Sequence, residues 1–226
     1  MKALVLKEYN KFAVEDVPVP EYGSKDVLIR VKACSICGSD VHGMDGSTGR
    51  RIPPIIMGHE ASGVIEKTGA EVTGYKPGDR VTFDSTVYCG DCYFCRRGEI
   101  DLCDNRKVVG VSCGDYRFNG AFAEYIAVPQ HILYPLPGNV TFERAAMVEP
   151  LSIAFHAVTR SRVTLNCSAV VVGAGMIGLL IIQLLRINGC GKIIAVDLKP
   201  EKLELAKKFG ADITVKADEA DVPAGV

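Results

Sequence analysis

From Met1 to about Pro137 the chain alternates short β-branched runs with Gly, Pro and Asp, as in Val27-Leu28-Ile29-Arg30-Val31 and Ala61-Ser62-Gly63-Val64-Ile65. Runs of this kind bounded by turn residues read as strands, so this half is expected to be mainly β. Pro135, Pro137 and Gly138 break the pattern, and Thr141-Phe142-Glu143-Arg144-Ala145-Ala146 opens a helical stretch with Thr141 as its N-cap. The expected domains are therefore 1–140 and 141–226.

Beyond Asn166 the texture changes. A buried strand over Ala169 to Val172 leads through a glycine turn into an apolar helix from Met176 to Ile187, followed by a second strand from Lys192 to Val196. A helix from Pro200 to Phe209 and a short strand near Ile213 complete a βαβαβ series suited to a parallel sheet. The fold class expected is α/β. A doubly wound sheet uses about six strands in two such halves, so only the first half is present and the chain reads as a fragment or truncated homologue of a longer protein.

Composition narrows the partners. The 226 residues, 48% of them hydrophobic, can bury a substantial core. With 26 basic residues against 27 acidic ones, no net positive field draws nucleic acid to the chain. Met1-Lys2-Ala3-Leu4-Val5-Leu6 lacks the apolar region and cleavage site of a signal peptide. No stretch approaches the roughly 18 apolar residues of a membrane span, so the expectation is a cytoplasmic protein. In that setting the nine cysteines point to metal rather than disulfides.

Cys89-x2-Cys92-x2-Cys95-x7-Cys103 supplies four thiols in a loop shaped by Gly90 and Gly98. Four thiolates complete a tetrahedral shell and leave no open position, which describes a structural zinc. An iron–sulfur cluster is the competing reading, but in ferredoxins the fourth cysteine follows after about three residues and precedes Pro. Here it precedes Asp104. A second constellation joins Cys37-Gly38-Ser39-Asp40-Val41-His42 to Gly58-His59-Glu60, with a further carboxylate at Glu149. Three protein ligands and one exchangeable position describe a catalytic zinc. Cys34, His131 and His156 read as structural, and Cys113, Cys167 and Cys190 as isolated, mostly buried residues.

Gly173-Ala174-Gly175-Met176-Ile177-Gly178 follows the strand Val170-Val171-Val172, opens the apolar helix and precedes Asp197 at the end of the next strand. Glycines there let the backbone approach a pyrophosphate at the helix N-terminus, and an acid about 20 residues on accepts from the ribose 2′-hydroxyl. Asp197 would repel a 2′-phosphate, which favours NAD over NADP. Lys199 and Lys202 read mainly as a mixed-charge solvated helix face, and Lys202 is retained with the cofactor residues.

Gly58-His59-Glu60-x2-Gly63-x5-Gly69-x2-Val72 resembles the zinc signature of the medium-chain alcohol dehydrogenases. The resemblance extends over almost the whole chain, through Cys37-Gly38-Ser39-Asp40, the four-cysteine lobe, Gly120-Ala121-Phe122-Ala123-Glu124-Tyr125 and the glycine turn. Glu149-Pro150-Leu151-Ser152 resembles the sorbitol and 2,3-butanediol dehydrogenase branch. The resemblance implies a GroES-like catalytic domain followed by a partial Rossmann domain. It implies Cys37, His59 and Glu60 as ligands of a catalytic zinc, with Glu149 beside the metal, and leaves open whether Glu60 or Glu149 ligates directly. It implies a proton relay through Ser39 and His42, with Asp40 orienting His59.

The implied reaction is hydride transfer to NAD from a secondary alcohol of a polyol or vicinal diol, with polyols, butanediol and phosphorylated sugar alcohols as the substrates the Glu149-Pro150 resemblance implies. Gly43 stands where animal sorbitol dehydrogenases carry an aromatic residue, which sets sorbitol itself apart from the other polyols. An L-threonine dehydrogenase-like enzyme is the nearest alternative substrate class. A chain that binds zinc and NAD without activity of its own is the alternative outside enzymes. Lacking the second half of its nucleotide sheet, the chain would leave a strand edge unpaired, a route to homo-oligomers.

Overall fold

Strands β1 (Lys2–Glu8) and β2 (Lys11–Asp16) form a hairpin whose turn is closed by Asn10 at φ 62°. They are followed by β3 (Asp26–Ser35), α1 (Gly38–Gly43), β4 (Ile55–Ile56), β5 (Glu60–Thr68) and β6 (Arg80–Phe83). Next come β7 (Thr86–Val87), α2 (Tyr93–Arg96), β8 (Lys107–Val108), β9 (Tyr125–Pro129), β10 (Leu133–Pro135) and α3 (Phe142–Ala146). The computed structural model describes residues 1–218 and divides them into two compact units, Met1 to Glu149 and Pro150 onward.

The first unit is built on a five-stranded antiparallel sheet ordered β10-β6-β5-β3-β9. Val27 and Ile29 from β3, Ala61 and Ile65 from β5, Val81 and Phe83 from β6 and Ile126 and Val128 from β9 are buried in one cluster. Each such aliphatic or aromatic side chain contributes at most about 1.5–3 kcal/mol by leaving water. Gly63 in β5 is required by this pairing. A Cβ there would lie 2.3 Å from the Arg30 carbonyl oxygen on β3, where the register shifts between Val31 and Ala33. Strands β2, β1 and β4 make a second, three-stranded sheet, and β7 pairs with β8 at the base of the four-cysteine lobe.

Helix α3 belongs to the first unit although the sequence punctuation precedes it. Ser62 Oγ donates to the Phe142 carbonyl at 2.7 Å, and the Arg80 guanidinium lies 4.7 Å from the centre of the Phe142 ring. Those ties hold the segment after Gly138 on the β-sheet. The two units meet in sequence within the next helix, α4 (Val148–Arg160).

In the second unit β11 (Ser168–Val172), α5 (Met176–Ile187), β12 (Lys192–Asp197), α6 (Pro200–Lys208) and β13 (Ile213–Lys216) alternate. The strands form a parallel sheet ordered β11-β12-β13. Central β12 is buried from Ile193 to Val196, as expected of a strand covered on both faces. Ile182 and Leu185 of α5 and Ala206 of α6 pack with Ile193 and Ala195. Pro200 opens α6 at a position where no backbone N–H is needed. The partial parallel sheet is the one expected. Among the described residues no helix is long and apolar enough to cross a membrane.

Candidate active site

Two groups of side chains that could hold a metal ion lie in the first unit. The sulfurs of Cys37 and the ligand atoms of His59 and Glu60 converge within 4.8 Å of one another, and so do the four sulfurs of Cys89, Cys92, Cys95 and Cys103. All nine cysteines are free thiols, so no disulfide competes for them.

The first group is assembled by strand register. Antiparallel pairing of Ser35 with Glu60 joins the end of β3 to the start of β5, and the chain then turns from Ser35 to Cys37, the N-cap of α1. The Ser39 N–H points at Cys37 Sγ at 3.5 Å, and Asp40 Oδ2 accepts from the Cys37 N–H at 3.3 Å. Gly58, at φ 92°, makes the turn that leads into buried His59. A Cβ at Gly58 would stand 2.5 Å from the Phe122 ring.

Burial makes the donor set unusual. Glu60 is fully buried and takes the Ser35 hydroxyl on Oε2, while Oε1 has no hydrogen-bond partner. His59 Nδ1 is likewise buried without a hydrogen bond, 3.6 Å from Asp40 Oδ1. Asp40 in turn accepts from Arg51 Nη2 at 3.0 Å, and both side chains are 3% exposed. An unpartnered buried carboxylate oxygen beside a thiol and an imidazole is costly unless something supplies the missing charge. Zinc, which takes thiolate, imidazole and carboxylate in tetrahedral geometry, fits that gap.

Burial lowers the His59 imidazole, but contact with Cys37 and the carboxylates of Asp40 and Glu149 outweighs it and leaves the group above its ordinary value. Glu149 is held by Ser85, whose hydroxyl donates to Oε1 at 2.9 Å. Burial raises its carboxyl despite the nearby His59. Glu60, rather than Glu149, converges with Cys37 and His59.

The remaining residues singled out in this region divide. Ser39 Oγ accepts from Arg51 Nη2 at 3.3 Å, while His42 is exposed on α1, and no hydrogen bond joins the two among the described residues. Cys34 packs on the core, where burial first and then Asp40 and Glu60 push its thiol up to about 12. It stays protonated and outside the metal group. His131 is satisfied structurally, edge-on to Tyr88 at 4.6 Å and 3.0 Å from the Tyr88 carbonyl.

In the cysteine lobe the Cys89 N–H points at Cys103 Sγ at 3.3 Å, and the Asn105 amide lies 3.8 Å from Cys89 Sγ. The backbone N–H groups of Cys95 and Asp104 pull the Cys92 thiol down to about 6, while desolvation and the three neighbouring thiols push Cys95 up to about 12. Donors aimed at sulfur favour thiolates, the form that binds metal. Four sulfurs in one shell fit a closed tetrahedral site.

The second unit carries the glycine turn. Gly173 takes φ 96° and Gly175 caps α5, with open space where its Cβ would be. A Cβ on Gly178 would meet the Gly173 carbonyl at 1.9 Å, so the turn and helix pack only with glycine there. Met176 and Ile177 follow as the first residues of α5, where backbone N–H groups lack helical partners. The Asp197 carboxylate accepts from the Ala174 N–H at 2.8 Å and the Lys199 N–H at 2.9 Å. Desolvation raises it, but these N–H donors and Lys202, with Nζ at 3.8 Å, hold it below the ordinary aspartate value. Lys202 is thus an ion-pair partner of Asp197 and not simply a solvated lysine. The cradle fits a dinucleotide pyrophosphate and ribose.

One reading needs correction. Cys167 and Cys190 are not isolated, because parallel pairing of Ser168 with Lys192 sets their sulfurs 3.6 Å apart.

Comparison with known proteins agrees with this geometry. Residues 23–138 match the alcohol dehydrogenase GroES-like domain and residues 177–226 the zinc-binding dehydrogenase domain. A probable D-xylulose reductase A from Aspergillus fumigatus is 38% identical over 216 residues, 94% of this chain and 59% of the relative. Sorbitol dehydrogenase from Bacillus subtilis is 36% identical, over 98% of this chain and 62% of its own length. The chain thus spans about three fifths of the curated relatives it matches. The crystal structure of alcohol dehydrogenase TADH from Thermus sp. ATN1 superposes with a TM-score of 0.94 at 34% identity, covering 100% of this chain and 66% of that one. With both domain families matched in order along it, the chain belongs to the zinc-dependent medium-chain alcohol and polyol dehydrogenases.

Proposed function

We propose that the protein oxidises a secondary alcohol of a polyol or vicinal diol and passes the hydride to NAD. The observation that carries this reading is the convergence of Cys37, His59 and Glu60 around Glu60 Oε1, a buried carboxylate oxygen with no hydrogen-bond partner. When bound, zinc supplies a Lewis acid that lowers the pKa of the alcohol and NAD supplies the hydride acceptor.

The chain's own residues then have distinct tasks. Cys37, His59 and Glu60 hold the metal, and Asp40 orients the His59 ring from the Nδ1 side. Arg51 fixes Asp40. Glu149, tied to Ser85, borders the same pocket as Ser39 and His59. Ser39 would take the substrate hydroxyl proton while giving up its own to a bridging hydroxyl or water, which carries it to the exposed His42 for release, since no hydrogen bond joins the two side chains directly. Cys89, Cys92, Cys95 and Cys103 hold a second, structural zinc. Gly173, Gly175, Met176, Ile177 and Gly178 form the pyrophosphate cradle, and Lys202 borders it through its pairing with Asp197. Asp197, kept ionised at the end of β12, supports NAD over NADP because a 2′-phosphate would meet its negative charge.

The test is NADH formation by purified, zinc-loaded protein given NAD and a panel of vicinal diols and polyols. Turnover that disappears on chelation and in Cys37→Ser is the expected result. Two bound zinc ions per chain with no NADH from any alcohol would instead favour a zinc- and dinucleotide-binding chain without activity of its own. A preference for NADP would remove Asp197 from its assigned role.

A further inference from the structure

We propose that the pocket beside the Cys37–His59–Glu60 cluster contains an anion subsite, formed by Arg50 and Arg106, that takes the phosphate ester of a phosphorylated polyol. The inference rests on the polyol dehydrogenase reading above and names the form of its substrate. The pocket measures about 640 Å³, and His59, Glu149 and Ser39 share its lining with Arg50 and Arg106. That volume suits a small-molecule site.

The lining carries three arginines against one carboxylate, Glu149, which is held by Ser85. Arg51, one of the three, is neutralised by Asp40, whereas neither Arg50 nor Arg106 pairs with a carboxylate among the described residues. Both are anchored. The Arg50 carbonyl accepts from the Ser112 N–H at 3.1 Å, fixing the base of a side chain that is itself exposed. The Arg106 guanidinium lies 5.2 Å from the centre of the Tyr116 ring and donates through Nη1 to the Asp101 carbonyl. Its other N–H groups are left for a ligand.

A neutral polyol needs only hydroxyl partners, which Ser39 and Thr48 supply in the same lining. It has no use for two guanidinium groups. A phosphate monoester carries about two charges and three terminal oxygens, so two arginines from separate segments can each engage it in charge-assisted hydrogen bonds. A carboxylate offers a single two-oxygen edge and one charge, and matches two such groups less well.

The experiment titrates the zinc-loaded protein calorimetrically with D-sorbitol, D-sorbitol 6-phosphate and D-gluconate, alongside Arg50→Gln, Arg106→Gln and Arg106→Lys. The phosphate ester is expected to bind at least about tenfold tighter than D-sorbitol. Each glutamine variant should erode that advantage about tenfold, equivalent to about 1.4 kcal/mol, with Arg106→Lys retaining part of it. Zinc content and melting temperature check that Arg106→Gln keeps its fold, and the exposed Arg50 provides a variant with no packing to lose.

Equal binding of ester and free polyol, no binding of either, or an ester preference surviving both glutamine variants would each overturn the subsite. D-gluconate binding as tightly as the ester would overturn its assignment to phosphate. Zinc-dependent NADH formation by the unmodified protein is followed in parallel. If it continues while the ester preference is absent, the dehydrogenase reading stands and the subsite falls. An ester preference without NADH from any alcohol would sink the dehydrogenase reading while supporting the anion site.

Discussion

Arg51 and Asp40 form a buried ion pair, Nη2 to Oδ1 at 3.0 Å, and the same carboxylate oxygen faces His59 Nδ1 at 3.6 Å. The pair therefore backs His59, the histidine of the candidate metal group. Removing one member of a buried pair leaves an uncompensated charge, so Arg51→Met is expected to destabilise the protein by about 3–5 kcal/mol in urea unfolding. Loss of the support on Asp40 should also weaken zinc at the His59 cluster by about 10-fold or more, read by competition with a chelating dye. Unchanged zinc affinity would assign the pair to the fold alone.

Gly58→Ala tests the turn that aims His59. The substitution forces a side chain into φ 92° and sets its Cβ 2.5 Å from the Phe122 ring. Strain and overpacking together should cost about 2 kcal/mol or more and lower the bound zinc from two per chain towards one. Adding Phe122→Ala relieves the overlap but not the backbone strain, so the double variant should recover part of the zinc and not all. Full recovery would mean that the positive φ carries no penalty here.

The two metal groups should differ in how they lose metal. Four sulfurs close their shell, whereas three ligands leave a position that a chelator can enter. A zinc-release time course with a mild chelator is expected to show one fast and one slow equivalent. Cys37→Ser should abolish the fast phase and Cys103→Ser the slow one, with the larger fall in melting temperature in Cys103→Ser. The reverse assignment of the phases would show that the open site is the tighter one.

Asp212 gives the second unit a pH-dependent tie. Its Oδ2 accepts from the Ile193 N–H and from Arg186 Nη2, each at 2.7 Å, and these partners hold the carboxyl below the ordinary aspartate value of 3.8. A group depressed in the folded state stabilises fully above its unfolded value, and the contribution fades as the pH falls through the lower folded value. Asp212→Asn is therefore expected to cost about 1 kcal/mol at neutral pH, its exposure keeping the figure modest. The difference from the parent should close below pH 3.8 in thermal melts. A gap that persists in acid would assign the loss to packing.

Much of this site was legible because its signals are local. The cysteine spacing and the glycine turn place their own ligands within one loop each, and Thr141 caps α3 by accepting from the Arg144 N–H. That Glu60 rather than Glu149 lies with Cys37 and His59 was not legible, because it depends on the register of β3 against β5. Arg51 was missed altogether. In the run Thr48-Gly49-Arg50-Arg51 nothing distinguishes a buried arginine from a solvated one. The proximity of Cys167 to Cys190 likewise follows from parallel pairing and not from spacing along the chain.

Glu60 is at once the carboxylate of the candidate metal group and the first residue of a strand sewn to Ser35 in the middle of a five-stranded sheet. A carboxylate on a loop can swing away on the timescale of loop breathing, whereas the backbone that carries this one moves only when the hydrogen-bonded ladder around it opens. Release of a bound ion on the Glu60 side would then have to come from rotation of the side chain within a fixed backbone frame. The centre inherits that frame from the sheet.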